Sequence, residues 1–166
     1  SPVGRYENSI SRSLQTILDL TGSNRPLLSF WHRYNLDENK DFGYVEVSTD
    51  GRKTWASLFF VSGLSGPTWL KEEIDLSPYA NNPELYLRFR IVSDASGNRD
   101  GWYIDDVEVS ENSATIAFPF SDDMEASASD DNWVASSWER IPTDGHESSY
   151  CWARPYKGGN DYAALV

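Results

Sequence analysis

The chain lacks most of the residues from which common active sites and covalent frameworks are built. A single cysteine, Cys151, among 166 residues excludes an internal disulfide. With only two histidines, His32 and His146, no H-E-x-x-H motif and no cysteine pair, the usual zinc frameworks are excluded too. Long apolar runs are missing, so no segment reads as a membrane span and none as a signal peptide. The Ser-Pro start is that expected of an excised or mature segment. Cations are scarce: 14 Lys+Arg against 26 Asp+Glu give a formal net charge of −12. That argues against a nucleic-acid partner, whose affinity rests on clustered Lys and Arg. No G-x-S-x-G and no phosphate-cradling glycine loop occur, so the chain reads as a non-enzyme with no catalytic residue assigned. The lone thiol reads as a buried apolar group rather than a nucleophile.

What the chain does have is apolar and aromatic residues in short, alternating runs. It is 39% hydrophobic and 14% aromatic, too apolar for a disordered protein. Segments 27–34, 42–48, 69–76, 85–93 and 102–110 are rich in β-branched and aromatic residues, and turn clusters such as "SGLSGP" and "SPYANNPE" separate them. The clearest alternation sets Leu85, Leu87, Phe89 and Ile91 on one face and Tyr86, Arg88 and Arg90 on the other. Further strands are expected at 114–120, 132–139, 149–153 and 162–166. With no βαβ rhythm, the expected class is all-β: an antiparallel two-sheet sandwich of jelly-roll topology. One segment disagrees. Ile10, Leu14, Ile17 and Leu18 recur at helical spacing within 10–20, so periodicity alone allows a helix there.

The run "PLLSFWHRYNL…DFGYVEVSTDGRKTW…IDLSPYANNPELYLRFRIVSDASGNRDGWYIDDVEVS" resembles the MAM-like jelly-roll domain that accompanies immune inhibitor A-type secreted metallopeptidases and other bacterial and archaeal surface proteins. The likeness covers about residues 14–110 and resumes at "FPFSDDMEASASDDNWVASSW", which is similar to the family's opening strands with Met124 in place of a phenylalanine. The order is permuted or repeat-straddling, because the opening strands here follow the closing one. "RYENSISRSLQT" is similar to "PYKGGNDYAALV", a short echo of the kind tandem repeats leave. The expected organisation is one sandwich over 1–166, with 1–112 as its body. Residues 113–166 would complete it, within the same molecule or by exchange with a neighbouring copy, since a sandwich without its first strands exposes apolar faces and open edges. The resemblance also makes 10–20 extended.

"GWYIDDVEVS" sets two aspartates side by side in a strand, where neighbours point to opposite faces. An inward carboxylate needs a partner, and the strand carries no Lys or Arg. The resemblance implies a structural Ca²⁺ held by the opening-strand glutamate and the closing-strand aspartate, which here are Glu125 and Asp106. Converging acids without bases suit that ion. A second candidate cluster is Asp94, Asn98 and Asp100 in "SDASGNRDG", which lacks EF-hand spacing. "STDGRKTW" is similar to an Asp-box turn, with Ser48, Asp50, Thr54 and Trp55 in its positions and Arg52 where a glycine is expected. Trp31 shares a strand face with Ser29 and Arg33, opposite Leu28, Phe30 and Tyr34, and is the candidate for stacking on a ligand.

These readings converge on a non-catalytic, calcium-stabilised module of a larger extracellular or cell-surface protein, serving adhesion, spacing or substrate positioning. Its expected partners are a glycan or protein ligand at the cell surface, and neighbouring repeats or a peptidase domain of the same polypeptide. The alternative is a carbohydrate-binding module that uses its aromatics, Trp31 first among them.

Overall fold

Alternation of side chains decides most of the architecture. The computed structural model describes residues 5–111, 120–122, 125, 134–135, 139–142 and 149–153. Eleven strands lie among them: β1 (Ser11–Leu18), β2 (Pro26–Asn35), β3 (Phe42–Ser48), β4 (Ala56–Val61), β5 (Leu70–Asp75), β6 (Leu85–Val92), β7 (Gly101–Glu111), β8 (Phe120–Asp122), β9 (Val134–Ala135), β10 (Glu139–Ile141) and β11 (Cys151–Ala153). One sheet runs β4-β3-β6-β1-β9, and the other runs β10-β11-β7-β2-β5 with β8 also on β7. Every pairing is antiparallel. The chain is therefore the two-sheet antiparallel sandwich that its pattern implies. No helix among the described residues is long and apolar enough to cross a membrane.

The two inner faces supply one core. Leu85, Leu87, Phe89 and Ile91 of β6 are fully buried and meet Leu28 and Phe30 of β2 and Trp102, Ile104, Val107 and Val109 of β7. Each such side chain contributes about 1.5–3 kcal/mol by leaving water. Segment 11–18 is a strand rather than a helix. Leu14 and Leu18 face the core opposite Phe89 and Leu85, while Ile17, which a helical stripe would need inside, is 48% exposed. The expected strand at 162–166 and residues 114–119 lie outside the described residues, as do Trp133, Trp138 and His146. β4 has no counterpart among the expected strands: its adjacent Phe59 and Phe60 break the alternation, and its ladder with β3 carries a bulge.

β7 answers the question its paired aspartates raise. Ser29 of β2 stands opposite Glu108 and Trp31 opposite Asp105, so β7 holds one residue more than β2 between these points. This is a β-bulge, and Asp106 occupies it with φ of 47°. The extra residue shifts the phase of the strand. Trp102 and Ile104 face the core before it, and Val107 and Val109 face the core after it. Asp105 takes the opposite face beside Tyr103 and is nonetheless fully buried, with its Oδ1 accepting from the Asp106 N–H at 2.9 Å.

Trp102 spans the middle of the sandwich. A Cβ on Gly43 of β3 would stand 2.5 Å from its ring, so only glycine lets the two sheets approach here. The indole Nε1–H donates to His32 Nδ1 at 3.1 Å, which fixes the neutral tautomer with the proton on Nε2. His32 is fully buried among Phe30, Tyr34, Phe59 and Trp102, and Glu72 of β5 faces it, 3.7 Å from Nε2. Burial pushes His32 down to about 4, and burial pushes Glu72 up.

Two predictions follow from this centre. Gly43→Ala overpacks it and lowers unfolding free energy by about 1–3 kcal/mol in chemical denaturation; an unchanged midpoint would mean the indole moves freely. A depressed histidine stabilises fully above its unfolded value near 6.5 and loses that contribution as pH falls toward 4. Stability therefore drops by up to about 1.4 kcal/mol per pH unit across that window, opposed in part by Glu72. His32→Gln, which still offers Trp102 an acceptor, flattens the profile between pH 6.5 and 4. The same slope in the variant would assign the acid response elsewhere.

Candidate functional site

The outer edge of β7 is shared by two later strands. β8 takes its lower part, with Val107 opposite Asp122 and Val109 opposite Phe120, and β11 takes Ile104 through Trp152. The bulge with Asp105 and Asp106 lies between these two pairings. Glu125 follows β8 by three residues, and its Oε1 accepts from the Tyr150 N–H at 2.6 Å, just before β11 begins. Glu125 and Asp106 are thus carried to the same edge of β7. A base reaches this region as well: Arg140 Nη1 donates to the Glu125 carbonyl at 3.1 Å and its guanidinium lies over the Tyr150 ring at 4.5 Å. Among the described residues no group of three or more His, Cys, Asp or Glu is placed to hold a metal ion. Two carboxylates are fewer oxygens than Ca²⁺ takes.

The second candidate cluster divides. Asp94 closes a local turn, its Oδ1 accepting from the Ser96 N–H at 2.8 Å, while its carbonyl accepts from the Ser9 N–H. Asp100 turns toward Tyr103 and Arg33; burial pushes its carboxyl up, against the pull of that guanidinium. Asn98 lies between them in the loop. The neighbouring polar centre escaped the sequence reading. Tyr6 donates its hydroxyl to the buried Asp41 and accepts from the Asp37 N–H at 3.0 Å. Asp41 also accepts from the Asp94 N–H at 2.8 Å, and Asp37 binds Lys40 at 3.0 Å and Arg99 at 2.8 Å. Gly97 is required beside Asp37, since a Cβ there would collide with its carboxylate and the backbone φ is +76°. No local pattern announces this network, because Tyr6 and Asp41 come from distant segments.

In the 48–55 turn, Asp50 folds back on its own loop. Its Oδ1 accepts from the Lys53 and Thr54 N–H groups at 3.0 and 2.9 Å and from the Ser48 hydroxyl at 2.8 Å, and its Oδ2 accepts from the Thr54 hydroxyl at 2.6 Å. Those donors, Thr54 first, hold the carboxyl well below its ordinary range. Arg52 has φ of 70°, a conformation that costs a side-chain-bearing residue about 1 kcal/mol. Trp55 carries the Arg88 guanidinium on its ring face at 3.8 Å. Ser48, Asp50 and Thr54 are thus engaged within the turn itself, while Trp55 and Arg52 tie it to Arg88 and Tyr86 of β6.

Trp31 lies on the outer face of the β2 sheet, half-buried between Lys71 of β5 and Asp105 of β7. Two residues along the same face, Arg33 lies over Tyr103 at 4.7 Å and over Trp69 at 5.3 Å. Tyr103, Ile141 and Cys151 form a small second core there, with Trp69 against it. Cys151 is fully buried.

Comparison with known proteins places this geometry in context. The family model described as "Immune inhibitor A-like, MAM domain" matches residues 4–139, a span that takes in β1 to β9. Bacillopeptidase F of Bacillus subtilis (strain 168) is 37% identical over 112 residues, which cover 67% of this chain and 8% of that protein. The chain thus spans a small fraction of that relative's length.

Proposed function

The chain belongs to the immune inhibitor A-like MAM domain family, and on that premise we propose that it is a non-catalytic accessory module of a larger extracellular or cell-surface polypeptide bearing a peptidase domain. One observation carries this reading: the matched region is 8% of a relative whose name is that of a peptidase, so the shared unit is a small part of a larger protein. The chemistry of the described residues supports it. The acids that reach the interior or its rim are engaged in holding the fold: Glu46 by Arg88 and Arg90, Asp41 by Tyr6, and Glu111 by Ser23 and the Asn24 and Arg25 amides. The role fitting such a body is spacing, adhesion or positioning of substrate, with residues beyond 112 closing the sandwich of their own molecule.

We propose further that Ca²⁺ stabilises the module through Glu125 and Asp106, with backbone carbonyls and water completing the shell. The support is the shared edge of β7 to which both carboxylates are carried. Bound there, the ion would supply positive charge where strands β8 and β11 diverge.

Removing this segment from its parent polypeptide should leave cleavage of short peptides intact and slow cleavage of folded protein substrates. Loss of short-peptide turnover would make the segment part of the catalytic unit. For calcium, chelation should lower Tm, because a ligand bound only by the native state stabilises it. Glu125→Gln and Asp106→Asn should each remove most of that response, and Asp50→Asn should leave it. Identical melting in chelator and in excess calcium would end the case for the ion.

A further inference from the structure

The sandwich has two open edges on one flank. β4 and β5 each end a sheet, and among the described residues each pairs with one neighbour. They lie on the same side, since Phe59 of β4 is 6.3 Å from Phe30 and 5.8 Å from His32, both on β2 beside β5. The two edges are finished differently. β5 reads Leu-Lys-Glu-Glu-Ile-Asp, a run of charges that discourages another strand from pairing. β4 reads Ala-Ser-Leu-Phe-Phe-Val with no charge at all, and Phe60 is 61% exposed. An apolar edge left unguarded is a template for pairing.

The surroundings of Phe60 add selectivity. Its ring meets Phe42 at 6.2 Å and Tyr44 at 6.3 Å, and those two stack on each other at 5.8 Å with planes 28° apart. Arg90 lies over Tyr44 at 5.0 Å, and Arg88 and Arg90 share the single carboxylate of Glu46. Two guanidiniums on one carboxylate leave this cluster positive on a chain whose formal charge is −12. The bulge in the β3–β4 ladder falls at Leu58, so Phe59–Val61 is a regular stretch of edge beside the cluster.

We propose that the free edge of β4 takes up an extended polypeptide segment by strand addition, with an apolar side chain against the Phe60 cluster and acidic side chains that complement through space the positive charge of Arg88 and Arg90, two strands in from the edge. A row of edge N–H and C=O groups is satisfied in series by another backbone, which identifies the occupant as polypeptide rather than sugar. Aromatic and arginine side chains then supply the anchoring contacts, as they do at protein interfaces generally. Presentation of such a segment to a neighbouring peptidase rests on the accessory-module reading; the strand addition does not.

The test titrates the 166-residue chain with a short peptide alternating valine or phenylalanine with glutamate, read by fluorescence anisotropy and amide hydrogen exchange. A lysine-for-glutamate version and one N-methylated at alternate backbone amides serve as comparisons. The glutamate peptide should bind and slow exchange in β4 by about tenfold or more, and the lysine version should bind about tenfold more weakly. The N-methylated peptide should not bind. Phe60→Lys, at an exposed position, should keep Tm and lower affinity by about tenfold or more. Binding of the N-methylated peptide, absence of protection in β4, or indifference to Phe60→Lys would overturn the proposal. Phe60-dependent binding of a soluble glucan without peptide binding would overturn it too. Any of these results leaves the accessory role standing, because that role is tested by deletion from the parent polypeptide.

Discussion

One surplus residue in β7 decides which side chains make the core. A regular strand from Trp102 onward would point Asp106 and Glu108 inward with Trp102 and Ile104, and would turn Val107 and Val109 to the other face. Two acids in an apolar interior would cost several kcal/mol each, and two valines would be lost from it. The bulge at Asp106 resolves the conflict by changing the phase of the strand midway. The apolar packing between the sheets, the placement of Trp102 against Gly43 and the course of the outer edge all follow from that change.

The chain carries many acids, and the fold disposes of them by separate local means rather than by one large electrostatic device. Burial pushes Glu46 up, but hydrogen bonds from Arg90 and Arg88 outweigh it and hold the carboxyl low. Asp50 is satisfied within its own turn, and Asp41 and Asp37 tie the segment around Tyr6 to the loop that begins at Asp94. Paired or hydrogen-bonded carboxylates of this kind fix loops and strands in register.

Much of this is legible in the sequence, and the exceptions have identifiable causes. β6 alternates without fault, and β3 occupies the span its composition marks, 42–48. β1 was ambiguous because Ile17 completes a helical stripe; only its exposure on the outer face distinguishes the two readings. β4 carries no period-two signal, because Phe59 and Phe60 stand together and a bulge interrupts its ladder. The bulge in β7 did leave a trace, since the apolar residues step from 102 and 104 to 107 and 109. Contacts such as Tyr6 with Asp41 or Trp102 with His32 join segments far apart in the chain, and no spacing rule reaches them.

The division of the β7 edge between β8 and β11 has a consequence for how the molecule is made. The strand that anchors one sheet is finished by β8 and β11, which follow it in the chain, and its central pairing is with the distant β2. A polypeptide halted after Glu111 would carry a long, uncapped backbone ladder flanked by tryptophan and valine, ready to join an identical neighbour. Closure of the sandwich therefore depends on β8 and β11 reaching this edge before a second copy does, which makes it sensitive to concentration.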